Sequence, residues 1–436
     1  MTERLKRLTT SLFVIFVVAF LIRLTFAYFD SVGRLIPDEY SYETGRIARS
    51  IALGKGFGNP YPGVETGPTA IMSPLYPLLL GGIFKLFGVY SYISYFIAIV
   101  LNEIISALTC IPIFYLGKRV GGLSVAASSA WLWAAFPVGV IIPSTWLWDT
   151  TLTTFVLITI IWATLELSES ARTTNWICYG LLWGFGLALN PSILSTMPFL
   201  MMWLAWRLRK RAQQWLKLPA IALSVMFVCC IPWAARNYVA FHHVIPFRSN
   251  FGLELWLGNN PDEIDILPDH NSPFQNARLH DEYVAKGEIA FMQAKKAESV
   301  QYIRSAPLIF LKYTWYRFLE VWLGIDEPFV DMLTQYSAKV TMIVSVNLIV
   351  VLAALSGLLI FHRKHRESSI PIAIVLIVYP AIYYVTHPSL RYRHPMDPIL
   401  IVMAAYAICY AVSAMTHSKT APLGDTSLAT ETSGRA

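Results

Sequence analysis

Long apolar runs recur along the chain, and they constrain its fold more than any other feature of the sequence. A helix needs about 20 mostly apolar residues to cross the hydrocarbon core of a bilayer. The runs that reach or approach this length lie near residues 8–29, 92–116, 122–142, 148–166, 175–189, 191–206, 216–234, 338–361, 369–386 and 394–415. They predict an all-α polytopic membrane protein with about ten transmembrane helices.

The composition excludes a soluble multidomain protein and a disordered chain. Hydrophobic residues make up 56% of the 436 residues and charged residues 14%, whereas soluble domains carry about 25% charge. The net charge of +7 does not indicate a nucleic-acid partner, because excess Lys and Arg in a membrane protein usually anchors cytoplasmic loops. All five cysteines lie inside apolar runs, so the sequence predicts neither a disulfide nor a zinc site.

The distribution of basic residues places the N-terminus on the cytoplasmic side. No small-residue cleavage site follows the first apolar run, so we interpret it as a retained helix rather than a signal peptide. The loops placed inside hold the basic clusters at 118–119, 172, 207–217 and 363–366. Arg391 and Arg393 are exceptions, since they lie in a short outer loop. The topology predicts an inner or plasma membrane protein with its site on the extracytoplasmic face.

Two shorter apolar stretches, 74–87 and 307–323, are interrupted by charges and predict interfacial or re-entrant helices. The sequence leaves the role of segment 262–305 open. The predicted organisation is a first transmembrane helix (1–29), a first extracytoplasmic loop with amphipathic and interfacial helices (30–91), transmembrane helices 2–7 (92–234), a large extracytoplasmic loop with an interfacial helix (235–337), the last three transmembrane helices (338–416) and a disordered cytoplasmic tail (417–436).

The first outer loop carries two adjacent carboxylates at the start of a predicted amphipathic helix, 37–54. Asp38 has two compatible interpretations. It is the N-cap of this helix, or it is a carboxylate held at the membrane surface as a general base toward an incoming hydroxyl. Glu39 is the second candidate of the pair.

A Gly- and Pro-rich stretch, 54–63, follows the amphipathic helix. It is too irregular for a P-loop. Either it is a plain structural loop, or Lys55 reaches a phosphate from it. Tyr61 in this stretch and Tyr76 near the start of the interfacial helix are candidate substrate-binding side chains.

Asp149 lies at the outer end of a predicted span, between aromatic residues that include Trp146 and Trp148. Such a carboxylate is favoured by the helix dipole, so helix capping is one interpretation. The other is a functional role, because an ionisable group at a membrane helix end that faces a cavity is a candidate site residue.

Two basic motifs lie at outer helix ends. Arg391-Tyr392-Arg393 opens the last span, where fixed guanidinium groups are suited to clamping a phosphate; the alternative is a lipid headgroup anchor. Arg236 closes an earlier span and has the same two interpretations. Further candidates for substrate binding are Asn190, Asn237, Asn259 and Asn260, although the Gly-Asn-Asn-Pro run is also typical turn chemistry.

The predicted topology brings these carboxylates, amides and cations to one face of the membrane. An ion-coupled transporter more often has ionisable groups at mid-membrane depth, where this chain has few. We therefore favour an enzyme. A lipid or sugar transporter, such as a flippase that moves a lipid-linked sugar without covalent chemistry, is the alternative.

At these motifs the sequence resembles the GT-C superfamily of membrane glycosyltransferases, and most closely the branch of protein O-mannosyltransferases and aminoarabinose–lipid A transferases. The resemblance rests on Asp38-Glu39 after the first span, the amphipathic helix that ends at Gly54, and Ser73-Pro74-Leu75-Tyr76-Pro77. It covers about 1–415 and is most specific over the first 80 residues. Where aminoarabinose transferases carry an acid–base pair, this chain has Met72-Ser73, which argues against an aminoarabinose donor.

The resemblance implies a GT-C-like helical bundle and a sugar donor carried on a polyprenyl phosphate. It also implies an inverting single displacement in which Asp38 assists the acceptor hydroxyl and Asp149 is a second acidic residue. The implied partners are the donor lipid, the bilayer and an acceptor glycan, lipid or protein. The sequence requires no cofactor, and it leaves a divalent metal open, although the first loop has no Asp-x-Asp motif.

Overall fold

The structure is a computed structural model that describes residues 9–31, 39–211, 214–261, 272–325 and 338–420. Within these ranges the chain is all-α and forms no strand, as the sequence predicts. The helices of the first half are α1 (Leu12–Ser31), α2 (Tyr42–Ala52), α3 (Leu75–Phe87), α4 (Tyr92–Leu108), α5 (Cys110–Ala135), α6 (Pro137–Thr145), α7 (Thr150–Leu167), α8 (Thr173–Leu189) and α9 (Met197–Lys210). Those of the second half are α10 (Lys217–Phe241), α11 (Phe251–Gly258), α12 (Ala277–Lys286), α13 (Glu288–Ser305), α14 (Pro307–Leu323), α15 (Ala338–Lys364), α16 (Arg366–Val378), α17 (Ala381–Val385), α18 (Leu390–Arg393) and α19 (Asp397–Thr420).

Seven helical segments of the described chain are long and apolar enough to cross a membrane, and the protein is an integral membrane protein. They are Leu12–Asp30, Tyr92–Ala135, Thr150–Leu167, Lys217–Phe241, Val344–Lys364, Arg366–Val385 and Leu390–Thr416. The 44-residue segment Tyr92–Ala135 covers two predicted spans. Helices α8 and α9 cover two more but have only 17 and 14 residues. The predicted number of about ten therefore stays a prediction.

A break inside α5 separates those two predicted spans. Gly121 and Gly122 leave the helical region of backbone space, and Gly122 has a φ of +76°. A residue with a Cβ adopts such a φ only at a cost, so glycine is suited to this position. The break follows the basic pair Lys118-Arg119, as expected for a turn at the membrane surface.

A second break turns the chain between α8 and α9. Asn190 leaves the helix in an extended conformation, and its side-chain oxygen accepts a hydrogen bond from the Ser192 backbone N–H at 3.1 Å. Pro191 then begins a short 3-10 helix that runs to Thr196. This capping arrangement exposes one side of Asn190 to the cavity described below.

The amphipathic helix of the first outer loop is present as α2, and its apolar face includes the fully buried Ile47 and Ala48. The helix begins at Tyr42 and has Ser41 at its N-cap position. Asp38 lies outside the described residues, so both interpretations of it stay predictions.

An outer layer forms where the first outer loop packs against α11, α12 and α13. One cluster of buried side chains joins the two regions, which are far apart in sequence: Ile47, Tyr61, Ile71, Met72, Leu253, Trp256, Leu257, Leu279, Tyr283, Phe291 and Met292. Burial of apolar surface drives this association, as in any protein core. Two parts of the chain that were predicted separately thus form one body.

Buried hydrogen bonds strengthen the junction between these two regions. The Glu288 carboxylate at the start of α13 accepts from Thr69 Oγ1 at 2.5 Å, the Ala70 backbone N–H at 2.8 Å, Ser249 Oγ at 2.6 Å and Tyr283 OH at 3.0 Å. Burial raises the pKa of Glu288 above its ordinary value, although the hydrogen bonds from Ser249, Thr69, Ala70 and Tyr283 act in the opposite direction.

Candidate functional site

An open cavity lies between the outer layer and the ends of several membrane helices. Its walls come from α2, the start of α7, the Asn190 turn, α11 and the region around α18. The polar and aromatic side chains that line it are Tyr42, Glu43, Tyr61, Trp146, Trp148, Asp149, Asn190, Arg248, Asn250, Glu254, Tyr379, Tyr383, His387, Arg391 and Tyr392. Three carboxylates, two guanidinium groups and one imidazole thus share a space bordered by aromatic rings, a composition suited to a polar ligand with an anionic group.

Asp149 and Arg248 form an ion pair on one wall. Arg248 Nη2 lies 3.1 Å from Asp149 Oδ2, and Asp149 is only 7% exposed. Asp149 occupies the N-cap position of α7, but its side chain makes no capping hydrogen bond. Asp149 thus lies at the helix N-terminus, as the capping interpretation predicts, while its carboxylate faces the cavity beside a cation.

Arg391 lies within a cluster of aromatic rings. Its guanidinium carbon is 3.7 Å from the ring centroid of Trp148, 5.2 Å from that of Trp146 and 4.7 Å from that of Tyr392. Arg391 Nη2 also donates to Tyr392 OH at 3.0 Å. Such cation–π contacts hold a guanidinium in place while leaving its N–H groups suited to binding an anion.

Glu254 and His387 form a second charged pair. His387 Nε2 lies 2.7 Å from Glu254 Oε2, and Asn250 Nδ2 donates to Glu254 Oε1 at 2.7 Å. Burial alone would raise the pKa of Glu254. The hydrogen bond from His387 and the positive charges of His387, Arg391 and Arg248 outweigh it, so the pKa lies below its ordinary value. The carboxylate is therefore ionised at neutral pH.

The aromatic wall is ordered by contacts between its own rings. Tyr383 and Tyr392 stack with centroids 4.7 Å apart and planes 7° apart, and Tyr379 OH lies 3.4 Å from Tyr383 OH. Trp146 and Trp148 meet edge to face at 6.2 Å. These rings form a rigid surface on which the flat apolar face of a ligand can pack.

Five of the residues predicted from the sequence line this cavity: Tyr61, Asp149, Asn190, Arg391 and Tyr392. The predicted convergence of distant segments on one site is therefore visible for these five. The other described candidates lie elsewhere, and each is held by a local partner.

Two surface candidates are engaged in ion pairs outside the cavity. Glu39 binds Arg46 Nη1 at 2.6 Å, and Lys55 binds Glu65. Both pairs join residues within the first outer loop, and neither lines the cavity. The structure thus provides no support for Glu39 as a catalytic group or for Lys55 as a phosphate ligand.

Arg236 and Arg393 are also removed from the cavity. Arg236 donates to the Thr69 carbonyl oxygen at 2.7 Å and to that of Phe57, so it fastens the first outer loop to α10. Arg393 is fully buried, with Nη2 3.4 Å from Asp397 Oδ1. Neither guanidinium group lines the cavity.

The remaining candidates make buried structural hydrogen bonds. Tyr76 OH donates to Asn102 at 3.4 Å, and Asn237 Nδ2 donates to the Ile245 carbonyl oxygen at 2.9 Å. Asn259 and Asn260 donate to the carbonyl oxygens of Leu255 and Trp256 at 2.8 and 2.9 Å. The Gly-Asn-Asn-Pro run is thus the turn that ends α11.

Among the cavity residues that were not predicted from the sequence, three form charged pairs: Arg248, Glu254 and His387. Glu254 offered one signal, since it is the lone charge in the apolar run Phe251-Gly-Leu-Glu-Leu-Trp-Leu-Gly258. Arg248 and His387 lie in polar turns, where nothing distinguishes them from ordinary surface residues. Among the described residues, no group of three or more His, Cys, Asp or Glu side chains is arranged to hold a metal ion.

Comparison of the structure with known proteins identifies the fold. An oligosaccharyltransferase, AglB from Archaeoglobus fulgidus, solved with an inhibitory peptide and a dolichol-phosphate, matches with a TM-score of 0.57 at 14% identity. The match covers 94% of this chain and 51% of AglB, so the chain spans about half the length of that enzyme. The apo form matches with a TM-score of 0.57 at 15% identity, over 94% and 51% of the two chains.

A third structure, ArnT from Cupriavidus metallidurans bound to undecaprenyl phosphate, covers 93% of this chain and 78% of its own at 11% identity, but its TM-score is only 0.40. No protein-family model matches the chain, and comparison with curated proteins gives no match. The likeness to AglB confirms the GT-C-like fold predicted from the sequence.

Proposed function

We propose that this protein is a membrane glycosyltransferase that moves a sugar from a polyprenyl-phosphate donor to an acceptor hydroxyl. The observation that carries the proposal is the cavity at the helix ends, where Asp149 and Arg248 lie among aromatic rings that also hold Arg391. A sugar phosphate presents an apolar ring face, hydroxyl groups and an anion, and this cavity has a partner for each. The fold shared with AglB, which was solved with a dolichol-phosphate, supports the choice of donor.

The proposed reaction is an inverting single displacement. The acceptor hydroxyl attacks the anomeric carbon as the bond from that carbon to the phosphate oxygen breaks. A carboxylate takes the hydroxyl proton. Asp38 remains the proposed base from the sequence resemblance, and Asp149 is the described carboxylate that faces the cavity beside a cation. Arg391, with Tyr392 OH beside it, stabilises the negative charge that develops on the departing phosphate.

The face of the membrane is also part of the proposal. The cavity adjoins the loops that the distribution of Lys and Arg assigns to the extracytoplasmic side. We place the reaction there, in the inner or plasma membrane, with a lipid donor that reaches the site from the bilayer. Fixed guanidinium groups supply charge stabilisation, so we propose that no cofactor is needed. Full transfer after chelation of divalent metals is the expected result.

A transfer assay tests the proposal. Purified protein in liposomes is incubated with radiolabelled polyprenyl-phosphate sugars and with envelope lipids, glycans or proteins as acceptors. Wild type is compared with Asp38→Asn and Asp149→Asn, and Glu65→Gln serves as a control outside the cavity. We expect label to leave the lipid with wild type and the control but not with the two aspartate variants. Movement of intact labelled lipid across the membrane without transfer would overturn the proposal in favour of a flippase.

A further inference from the structure

The proposed mechanism leaves one buried polar atom of the cavity unused. His387 is only 6% exposed and lines the cavity. Its Nε2 is bound to Glu254, but Nδ1 is buried and has no hydrogen-bond partner among the residues that the structure describes. A buried nitrogen in this state is costly unless a ligand completes it. Of the two imidazole nitrogens, Nδ1 is therefore the one that no described side chain engages.

The hydrogen bond to Glu254 determines which imidazole nitrogen changes its protonation state. An ionised carboxylate only accepts hydrogen bonds, so Nε2 must carry a hydrogen. Nδ1 is then the nitrogen that gains or loses a proton, as an N–H donor in the imidazolium and a lone pair in the neutral ring. The second Glu254 oxygen is held by Asn250, so the carboxylate is fixed in this orientation.

The surroundings of His387 indicate where a phosphate would lie. Its ring packs against Tyr392 with centroids 5.5 Å apart, and the same tyrosine contacts the Arg391 guanidinium on its ring and its hydroxyl. An anion bound at Arg391 and Tyr392 would therefore be beside His387.

We propose that His387, oriented by Glu254, is a further catalytic residue that delivers the Nδ1 proton to the departing phosphate. This proposal rests on the proposed glycosyltransferase function and adds a proton donor to the proposed mechanism. A carboxylate holds one imidazole nitrogen while the other transfers the proton, an arrangement well known from hydrolases. Glu254 is a positioning residue, because it acts through His387.

The step balances in atoms and charge. The acceptor oxygen forms a bond to the anomeric carbon, and the bond between that carbon and the phosphate oxygen breaks. Its electron pair remains on the oxygen of the polyprenyl phosphate. The acceptor proton passes to the carboxylate base, and the Nδ1 proton of His387 passes to the phosphate, whose second ionisation lies near pH 6 in ordinary monoesters. Proton exchange with water then restores both groups.

Several charged and titratable groups surround His387 and bear on any pH dependence. They are Glu254 on α11, Arg391 and Tyr392 on α18, Arg248 and Asp149 across the cavity, and Arg317 on α14, which binds the Gly258 and Val385 carbonyl oxygens. A proton donor here predicts that the rate falls as the pH rises and the imidazole becomes neutral.

The test combines transfer kinetics with lipid binding between about pH 5.5 and about pH 9. His387→Gln preserves a group that can reach Glu254 but removes the Nδ1 donor, and His387→Asn places an amide N–H near the Nδ1 position.

We expect kcat of His387→Gln to fall about 100-fold or more, which is the usual contribution of a proton donor. The decline of the rate at alkaline pH should be abolished, and the donor KM should be nearly unchanged. His387→Asn, whose amide can hydrogen-bond a phosphate but cannot transfer a proton, should also lose the alkaline decline, and Glu254→Gln should shift the alkaline decline to lower pH. The control is His243→Gln, because the His243 side chain is exposed.

Two kinetic outcomes would overturn the proposal. One is a His387→Gln enzyme that keeps the wild-type rate and alkaline decline. The other is a wild-type decline on the acid side that His387→Gln removes, because it would make His387 a base. Gel filtration and melting temperature establish that each variant is folded, and His387→Asn replaces His387→Gln if the latter is not.

Binding of radiolabelled polyprenyl phosphate separates this proposal from the proposed function. We expect binding of the lipid to weaken as pH rises, and to weaken more for wild type than for His387→Gln. The lipid phosphate titrates equally with both proteins, so the comparison with the variant removes its contribution. Wild type could transfer no sugar and still show the pH-dependent difference in binding from His387→Gln. In that case the proposed transferase function is overturned, while the proposal that His387 donates a proton to phosphate stands. If the two proteins bind identically at every pH, or wild type does not bind, the proposal for His387 is overturned.

Discussion

Arg248 and Asp149 form a 3.1 Å ion pair although 99 residues separate them in the sequence. The same guanidinium donates through Nε to Ser73 Oγ at 2.9 Å and through Nη2 to the Leu189 carbonyl oxygen at 3.1 Å. Arg248 therefore joins the first outer loop, the start of α7, the end of α8 and the loop before α11. This single side chain sets the position of the Asp149 carboxylate within the cavity.

The first prediction concerns Arg248→Lys. A lysine ammonium cannot reproduce the directed contacts of the planar guanidinium to Ser73, Asp149 and Leu189. We expect kcat/KM for sugar transfer to fall about 10- to 100-fold, equivalent to about 1.5–3 kcal/mol of lost charged hydrogen bonds. Steady-state kinetics measures this change in kcat/KM. The matched control is Arg119→Lys, because Arg119 pairs with the partly exposed Glu169 and does not line the cavity. Equal activity of both variants would contradict the role of Arg248.

The second prediction separates two arginines that lie two residues apart. Arg391→Lys keeps the charge but loses the stacking on Trp148, so we expect donor KM to rise with little change in melting temperature. Arg393→Ala leaves Asp397 without its buried cation and should lower the stability by about 3–5 kcal/mol. Donor titrations and thermal unfolding in detergent measure the two effects. The reverse pattern, with Arg393 affecting donor binding alone, would restore the clamp predicted from the sequence.

The third prediction concerns the pH dependence of the junction at Glu288. Its pKa in the folded protein is raised above the ordinary value of 4.5, mainly by burial. Folding therefore favours the protonated form. The stability from this group is fully present below about pH 4.5 and is lost as pH rises through the raised pKa. Limited proteolysis of α12 and α13 should accordingly be faster at pH 8 than at pH 5.5.

Glu288→Gln supplies the control for that experiment, because a glutamine is neutral at every pH. The ratio of cleavage rates at the two pH values, corrected for the protease with an unfolded substrate, should be smaller in the variant than in wild type. An unchanged ratio would show that another group causes the pH dependence.

The fourth prediction concerns the close approach of α11 to the segment after α17. A Cβ added at Gly258 would collide with the Thr386 carbonyl oxygen. Thr386 precedes His387, and Gly258 lies one helical turn after Glu254. Gly258→Ala must push these segments apart, so we expect lower stability and at least a 10-fold loss of transfer, since small displacements of site residues are costly. Gly82→Ala is the control, since a Cβ there meets nothing within 4 Å. Its stability should be unchanged or slightly higher.

The sequence alone was sufficient to predict the class of fold. Apolar runs of about 20 residues have few ways to satisfy their backbone hydrogen bonds in lipid, so they specify membrane helices directly. The breaks at Gly121-Gly122 and at Asn190-Pro191 were also readable, because glycine and proline act on the local backbone. The amphipathic pattern of α2 predicted its buried face, although not where the helix begins.

The site was readable only in part. Asp149, Asn190 and Arg391 carry local signals, because a polar residue at the end of an apolar helix is unusual. Arg236 and Arg393 carry the same signal and yet serve the fold. Whether a guanidinium faces a cavity or a backbone carbonyl depends on which groups of the neighbouring helices pack against it. A local sequence pattern does not contain that information.

Arg248, Glu254 and His387 show what the tertiary structure alone decided. Each acquires its chemistry from a partner that is at least 99 residues away. Arg248 acquires it from Asp149, and Glu254 and His387 acquire it from each other, 133 residues apart. The sequence determined that helices cross a membrane, because burial of apolar surface is a property of each segment. Packing of distant segments against one another determined which charges meet, because electrostatic pairing depends on distances that only the folded chain defines.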